Sequence, residues 1–284
     1  MSMKGRFQSA GWLGRIAIWL VIMLLLTTLM LLGWSQWGGL STTSLKWLQL
    51  CQTFAVFILP ALGAVWLWSP EPIRWLHLDR AVSWETVVYA IVIMIAAVPG
   101  INLLSEWNQQ MVLPSFLEHL ESLIKQQEEA AKQLTEQFLK ADGIGSLLLN
   151  IGLMALLPAI GEELTFRGVI QGLFGEKHKT LAIWITAAIF SFIHFQFYGF
   201  VPRMLMGVLF GYMLVWTGSL WVPILMHFTN NALAVILYYI GDRYGIEDEM
   251  LENFGAGELW WLGVASILAV CVLSIFFSRQ ERRG

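Results

Sequence analysis

Long apolar stretches recur along almost the whole chain. Windows of about 20 apolar residues are long enough to cross the hydrocarbon core of a bilayer as a helix. Of the 284 residues, 57% are hydrophobic and only 13% are charged, whereas a soluble domain carries about 25% charged residues. The sequence therefore predicts an integral membrane protein. We expect helices, because a helix satisfies its own backbone hydrogen bonds in lipid.

Eight such spans are predicted, so the expected fold class is an all-α, polytopic membrane helical bundle. The spans cover residues 16–34, 45–68, 87–104, 144–174, 181–197, 203–216, 223–239 and 259–277. We treat the chain as one integrated membrane domain with three parts: N-terminal helices and a helical loop (1–143), a core (144–240) and a C-terminal helix (241–284). Gly207 and Gly211 form a Gly-x-x-x-Gly pattern, which is typical of closely packed membrane helices.

The segment 105–143 is the soluble-looking part of the chain. Its middle is rich in Glu, Gln, Lys and Ala. Its apolar residues recur at helical spacing, which predicts an amphipathic helix interrupted at its centre. We expect this helix to lie as a cap on the extracytoplasmic surface. A lid or substrate-docking arm over a cavity is the alternative.

Basic residues indicate the orientation in the membrane. Lys4, Arg6 and Arg15 precede the first span, and cytoplasmic segments carry an excess of Lys and Arg. We therefore expect a cytoplasmic N-terminus. The span at 16–34 lacks a small-residue cleavage site, so we predict a retained helix rather than a signal peptide. The net charge of −3 is too small to indicate a nucleic-acid partner.

Three ionisable residues stand close together inside the fourth predicted span. Glu162 and Glu163 are adjacent, and Arg167 follows Glu163 by one helical turn on the same face. An ionised side chain at the bilayer centre costs roughly 2.5–3.5 kcal/mol on insertion scales, so such residues pair or line a functional cavity. We expect Arg167 to pair with Glu163 and position the site, which leaves Glu162 free to bind water.

Two histidines and an asparagine lie in later spans. His194 ends the run Phe-Ser-Phe-Ile-His, and His227 begins the run His-Phe-Thr-Asn-Asn, in which Asn231 lies one turn further along. A bundle brings such residues together when they face its interior. We therefore expect one polar cluster of candidate catalytic residues: Glu162, Glu163, His194, His227 and Asn231.

These residue types suit the hydrolysis of a peptide bond. Glu162 and His194 can orient and deprotonate a water molecule, while His227 and Asn231 can donate hydrogen bonds to the developing oxyanion. Alternatively, Glu162, His194 and His227 can hold a divalent metal such as zinc, since catalytic zinc commonly has three protein ligands. The sequence leaves open both direct acid–base catalysis and a metal-activated water.

Three motifs on successive spans resemble those of the CPBP family. That family comprises the type II CAAX prenyl endopeptidases and bacterial proteins named for bacteriocin processing or abortive infection. The motifs are Glu-Glu-x-x-x-Arg at 162–167, Phe-x-x-x-His at 190–194 and His-x-x-x-Asn at 227–231. The resemblance covers about residues 144–240.

The resemblance implies an intramembrane endopeptidase in a prokaryotic plasma membrane. Its expected partners are the lipid bilayer and a membrane-associated protein or peptide substrate. The family commonly carries the label of metalloprotease, so the resemblance keeps the zinc alternative open. It also implies that the five residues of the polar cluster lie in one cavity.

Three other functions are compatible with the same residues. Carboxylate–histidine chains also build proton relays in transporters, although no inverted repeat accompanies them here. His194 and His227 can serve as axial ligands of a haem, which would leave the adjacent carboxylates unexplained. A non-catalytic membrane scaffold or immunity protein can also retain the family's residues.

Overall fold

The computed structural model describes residues 3–37, 41–175, 178–246 and 253–281. Every regular element within these ranges is helical. This confirms the predicted all-α, polytopic membrane bundle.

The described residues form nine helices of more than ten residues when continuous α- and π-helical turns are counted together. They are α1 Trp12–Trp37, α2 Thr42–Trp68, α3 Trp84–Gln109, α4 Glu118–Leu139, α5 Ile144–Gly175, α6 Lys179–Phe192, α7 Phe200–Thr217, α8 Trp221–Tyr244 and α9 Trp260–Glu281. With their flanking turns, all except α4 and α6 are long and apolar enough to cross a membrane. Helix α6 is apolar but has only 14 residues.

The fifth predicted span ends earlier than the sequence indicates. Helix α6 stops at Phe192 rather than at residue 197, so it is about 21 Å long at 1.5 Å per residue. The apolar run continues, but the backbone reverses at Phe195, whose φ is +52°. A 3₁₀ turn, Phe197–Gly199, then leads directly into α7. His194 therefore lies in a loop beyond the helix end.

Helix α4 is continuous over 22 residues, so the predicted interruption at its centre is wrong. Its polar middle consists of Lys, Gln, Glu and Ala, which are strong helix formers, and neither Gly nor Pro occurs between its ends. The buried Asn150 of α5 anchors the end of α4. Its Nδ2 donates to the Leu139 carbonyl at 2.9 Å, and its Oδ1 accepts from Lys46 Nζ at 2.7 Å.

Two clusters of buried apolar side chains build the interior. The first joins α2, α5, α7 and α8 and includes Trp68, Leu164, Leu214 and Ile224. The second joins α3, α7, α8 and α9 and includes Met94, Phe210, Met226 and Phe277. Because α7 and α8 belong to both clusters, apolar packing fixes them firmly in the bundle. The buried polar residues Glu163, Arg167 and His227 lie on α5 and α8.

Helices α6 and α7 approach closely at Gly207 and Gly211, as the Gly-x-x-x-Gly pattern predicts, and two α5 side chains reach the α7 backbone there. Arg167 Nη2 donates to the Gly207 carbonyl at 3.1 Å, and Gln171 Nε2 donates to the Gly211 carbonyl at 3.2 Å. A Cβ atom at position 207 would lie 3.0 Å from Ala187 Cβ and 3.2 Å from Arg167 Nη2. The lack of a side chain there lets the α7 backbone accept hydrogen bonds from α5.

We expect Gly207→Ala to lower the free energy of unfolding by about 1–3 kcal/mol, the usual range for overpacking. The matched control is Gly33→Ala in α1, where an added Cβ would meet nothing within 4 Å. Thermal unfolding of both purified variants in detergent measures the difference. Equal melting temperatures would contradict the close packing of α7 against Ala187 of α6 and the Arg167 side chain.

Candidate active site

The adjacent carboxylates of α5 point in different directions, because consecutive helical side chains diverge by about 100° at 3.6 residues per turn. Glu163 is fully buried and faces Arg167, whereas the side chain of Glu162 is 14% exposed and faces the two histidines. A π-helical stretch, Leu164–Gln171, begins directly after the pair. Such wide turns occur frequently at functional sites.

Arg167 and Glu163 form the predicted ion pair, deep in the bundle. Arg167 Nη1 donates to Glu163 Oε1 at 2.8 Å, and neither side chain is exposed. The guanidinium also lies over two aromatic rings, with Cζ 4.7 Å from the Phe190 centroid and 5.4 Å from that of Phe210. Breaking the pair would leave a buried charge without a partner, which is strongly destabilising.

The same carboxylate orients His227. The Nδ1–H of His227 donates to Glu163 Oε1 at 2.8 Å, and its ring stacks on Phe210 with the centroids 5.5 Å apart. An ionised carboxylate only accepts hydrogen bonds, so the proton of the neutral imidazole lies on Nδ1 and Nε2 keeps its lone pair. Arg167, Glu163 and His227 therefore form an oriented chain that ends at Nε2.

A backbone carbonyl orients His194 in the same way. His194 Nδ1 donates to the Phe190 carbonyl at 2.7 Å, and the two rings meet edge to face at 5.1 Å. A carbonyl cannot donate, so Nε2 of the neutral ring again carries the lone pair. The side chain of His194 is 30% exposed, more than those of His227 and Glu162.

The lone pairs of both histidines converge on Glu162. Its Oε2 lies 4.0 Å from His194 Nε2 and 3.9 Å from His227 Nε2. This oxygen forms no hydrogen bond with any residue that the structure describes. The distances are too long for direct hydrogen bonds, but they suit one atom that bridges all three groups. The structure thus brings together three of the predicted residues around one point.

A water molecule or a cation suits this point. A water molecule donates only two hydrogen bonds. If it contacts Glu162 Oε2 and both Nε2 atoms at once, one of these three atoms must therefore carry a proton and donate to the water. A divalent cation accepts all three lone pairs, and histidine ligands usually donate their other ring N–H to a carbonyl or carboxylate, as both histidines do here.

The spacing lies between those that the two occupants favour. A tetrahedral zinc with bonds of about 2.0–2.1 Å places its ligand atoms about 3.3 Å apart, whereas a water with partners at about 2.8 Å in tetrahedral directions places them about 4.6 Å apart. Glu162 Oε2 lies 3.9–4.0 Å from the two Nε2 atoms. Within residues 3–37, 41–175, 178–246 and 253–281, no three His, Cys, Asp or Glu side chains form a ready-made cation site, but the donor types fit a metal.

Asn231 lies one turn after His227 on α8 but is not bonded to the rest of the cluster. Its Oδ1 accepts from Asn230 Nδ2 at 3.2 Å. Its own Nδ2 forms no hydrogen bond among the described residues. The place of Asn231 in the cluster therefore stays a prediction from the motif.

Arg203 is a candidate site residue that sequence reasoning missed. The sequence predicts a span that begins at Arg203, and a basic residue is ordinary at the end of a span. Helix α7 begins earlier, at Phe200, and Arg203 interacts electrostatically with Glu162 and His194. Its Nη2 donates to Gln196 Oε1 at 2.6 Å, whereas its buried Nη1 has no partner among the described residues. The signal that could have identified Arg203 is the presence of an arginine inside an apolar span, since such residues commonly mark functional sites.

We expect Glu163→Gln to destabilise the protein by roughly 3–5 kcal/mol, because the buried Arg167 guanidinium loses its counter-charge. Glu162→Gln is the matched control one residue away. It should unfold close to wild type, since Glu162 Oε2 has no hydrogen-bond partner among the described residues. Unfolding of both variants in detergent, followed by circular dichroism, gives the comparison; similar stabilities would contradict the ion pair's role.

Residues 144–233 match the family model described as type II CAAX prenyl endopeptidase Rce1-like. An uncharacterized protein of Bacillus subtilis, YpbD, is 34% identical over 109 residues, which cover 37% of this chain and 54% of that relative. The aligned part thus spans about half of the relative's length. No solved structure matches the chain. All three motifs lie inside the matched segment, so the resemblance is confirmed: residues 144–233 are similar to the Rce1-like type II CAAX prenyl endopeptidases.

Proposed function

We propose that this protein is an intramembrane endopeptidase that hydrolyses a peptide bond in a membrane-associated protein or peptide. The observation that carries the proposal is the convergence of Glu162 Oε2 with the Nε2 atoms of His194 and His227 at 3.9–4.0 Å. The match of residues 144–233 to CAAX endopeptidases supports the same class of reaction.

Glu162 and His194 activate the water. A water between Glu162 Oε2 and His194 Nε2 donates a hydrogen bond to each, which leaves an oxygen lone pair for the substrate carbonyl. Glu162 takes a proton as the oxygen attacks and returns it to the leaving amine. The carboxyl group therefore acts first as the base and then as the acid.

Other groups stabilise the charge that develops on the carbonyl oxygen. Neutral His227 presents a lone pair at Nε2, so it donates to the oxyanion only as the imidazolium, which it becomes by taking a proton from solvent water before the attack. Glu163 then stabilises the imidazolium through Nδ1. Asn231 Nδ2 and Arg203 Nη1 are further donors, since neither has a partner among the described residues. Arg167 positions Glu163 and does not touch the substrate.

A divalent cation at the same point is the alternative version. Glu162, His194 and His227 would be its ligands, and a bound zinc would supply Lewis-acid activation of water. The observed spacing of 3.9–4.0 Å lies midway between the values for a tetrahedral zinc and for a tetrahedral water. We propose the version without a metal, in which the Glu162 carboxylate activates the water directly.

The proposed setting is a prokaryotic plasma membrane with the N-terminus in the cytoplasm. With the short helix α6 counted as a crossing despite its 14 residues, successive spans then place the end of α3, helix α4 and the loop after α6 on the extracytoplasmic side. Hydrogen bonds from Asn108 of α3 to the Phe197 carbonyl, and from the Tyr198 amide to Glu128 of α4, require these three parts to share one side. A chain that crosses the membrane in alternating directions, starting from a cytoplasmic N-terminus, satisfies that requirement.

We expect Glu162→Gln to abolish proteolysis, because the amide keeps the shape of the side chain but cannot take up the proton. The membrane-proteome N-termini of host cells expressing wild type are compared with those of cells expressing Glu162→Gln at the same level. Glu118→Gln, at an exposed position of α4, is the matched control. New N-termini should appear with wild type and the control only; their persistence in Glu162→Gln would reject the mechanism.

We expect metal removal to leave cleavage within about twofold of its starting rate, because the proposed base is the Glu162 carboxylate itself, which needs no metal to take up a proton from water. A peptide spanning a cleavage site found in cells serves as substrate for protein dialysed against a chelator, with metal content measured by mass spectrometry. Loss of cleavage that zinc restores, together with loss of bound zinc in His194→Ala, would establish the metal version instead.

A further inference from the structure

The loop that carries His194 is held by side chains from other parts of the chain. This His194 loop, residues 193–199, joins α6 to α7 and contains no α-helical turn. Buried backbone groups outside helices need hydrogen-bond partners, and Tyr198 in this loop is buried. The position of His194 therefore depends on what satisfies this backbone.

Helix α3 supplies the first partner. Asn108, which is 1% exposed, donates from Nδ2 to the Phe197 carbonyl at 3.1 Å and accepts at Oδ1 from the Val201 amide at 2.8 Å. One amide side chain thus bridges both ends of the 3₁₀ turn that follows His194.

Helix α4 supplies two carboxylates from the face that it turns toward the bundle. Glu128 Oε1 accepts from the Tyr198 amide at 2.9 Å, and Glu121 Oε1 accepts from the Tyr198 hydroxyl at 3.2 Å. The hydrogen bond from Lys125 to Glu121, at 2.7 Å, lowers the pKa of this carboxyl, which favours its ionised form. Charged acceptors make stronger hydrogen bonds than neutral ones.

Helix α4 is itself fixed, so it can hold another segment in place. Near its start, the Leu113 amide donates to Glu121 Oε2 at 3.2 Å. At its end, the Leu139 carbonyl accepts from Asn150 at 2.9 Å. The two anchors, at Glu121 and Leu139, lie on opposite sides of Glu128, so α4 is held on both sides of its contact with the Tyr198 amide.

We infer that Glu128 of α4, together with Asn108 of α3, is a positioning residue that sets the His194 loop so that His194 Nε2 faces Glu162. Both residues lie outside the matched segment 144–233, so this part of the chain completes the site rather than merely covering it. The catalytic consequence rests on the proposed function. The placement of the loop and of the imidazole does not.

Three single variants of the full chain in lipid nanodiscs test the inference. Glu128→Ala removes the acceptor, Glu128→Gln keeps an acceptor oxygen, and Glu129→Ala is the matched control, since that carboxylate bonds within its own helix to Gln133. Hydrogen exchange of residues 193–203 reports the loop. Modification of His194 by diethyl pyrocarbonate, relative to the exposed His119, reports the imidazole.

We expect Glu128→Ala to speed exchange of the Tyr198 amide by about tenfold through local opening and to change the rate of His194 modification. Glu128→Gln should restore both, and Glu129→Ala should match wild type. At equal melting temperatures, the yield of new N-termini should fall with Glu128→Ala alone.

Two results would overturn the inference: equal exchange in Glu128→Ala and Glu129→Ala, or a loosened loop with unchanged His194 modification. Failure of the proposed function looks different, because wild type would then produce no new N-termini. The exchange and modification rates would still decide the role of Glu128 in that case.

Discussion

The Glu163 carboxylate accepts hydrogen bonds from Arg167 and His227 on the same oxygen, each at 2.8 Å. This sharing solves two problems at once. It neutralises an arginine that is fully buried, and it fixes the ring of His227 with Nε2 toward Glu162. Without the first contact the ion would destabilise the bundle; without the second, the lone pairs would not converge. The close passage of α7 at Gly207 supplies the second hydrogen-bond acceptor of the guanidinium.

The chemistry of the site follows from the different surroundings of the two neighbouring glutamates. Glu163 is enclosed by the arginine and by aromatic rings, so its work is electrostatic and structural. Glu162 is partly exposed, and its Oε2 has no hydrogen-bond partner among the described residues. A free acceptor oxygen between two imidazole lone pairs is suited to binding and deprotonating water. One adjacent pair of carboxylates thus provides both a scaffold and a base.

Sequence reasoning could predict that Glu162, His194 and His227 meet, because ionisable residues in apolar spans must face one another or a cavity. It could also pair Arg167 with Glu163 from their spacing. It could not predict which nitrogen of each histidine faces Glu162. That choice depends on tertiary contacts, such as the one across 64 positions between Glu163 and His227. The sequence also could not predict that α6 ends at Phe192, because apolar residues continue through the point where the chain reverses.

The measurement that tests this account most directly is the tautomeric state of the two histidines. The chain has only five histidines, so ¹⁵N-histidine labelling with single substitutions to glutamine assigns their NMR signals. We predict that both His194 and His227, when neutral, carry the proton on Nδ1 and the lone pair on Nε2. A proton on Nε2 of His227 would show that Glu163 does not orient the ring, and would contradict the convergence on Glu162.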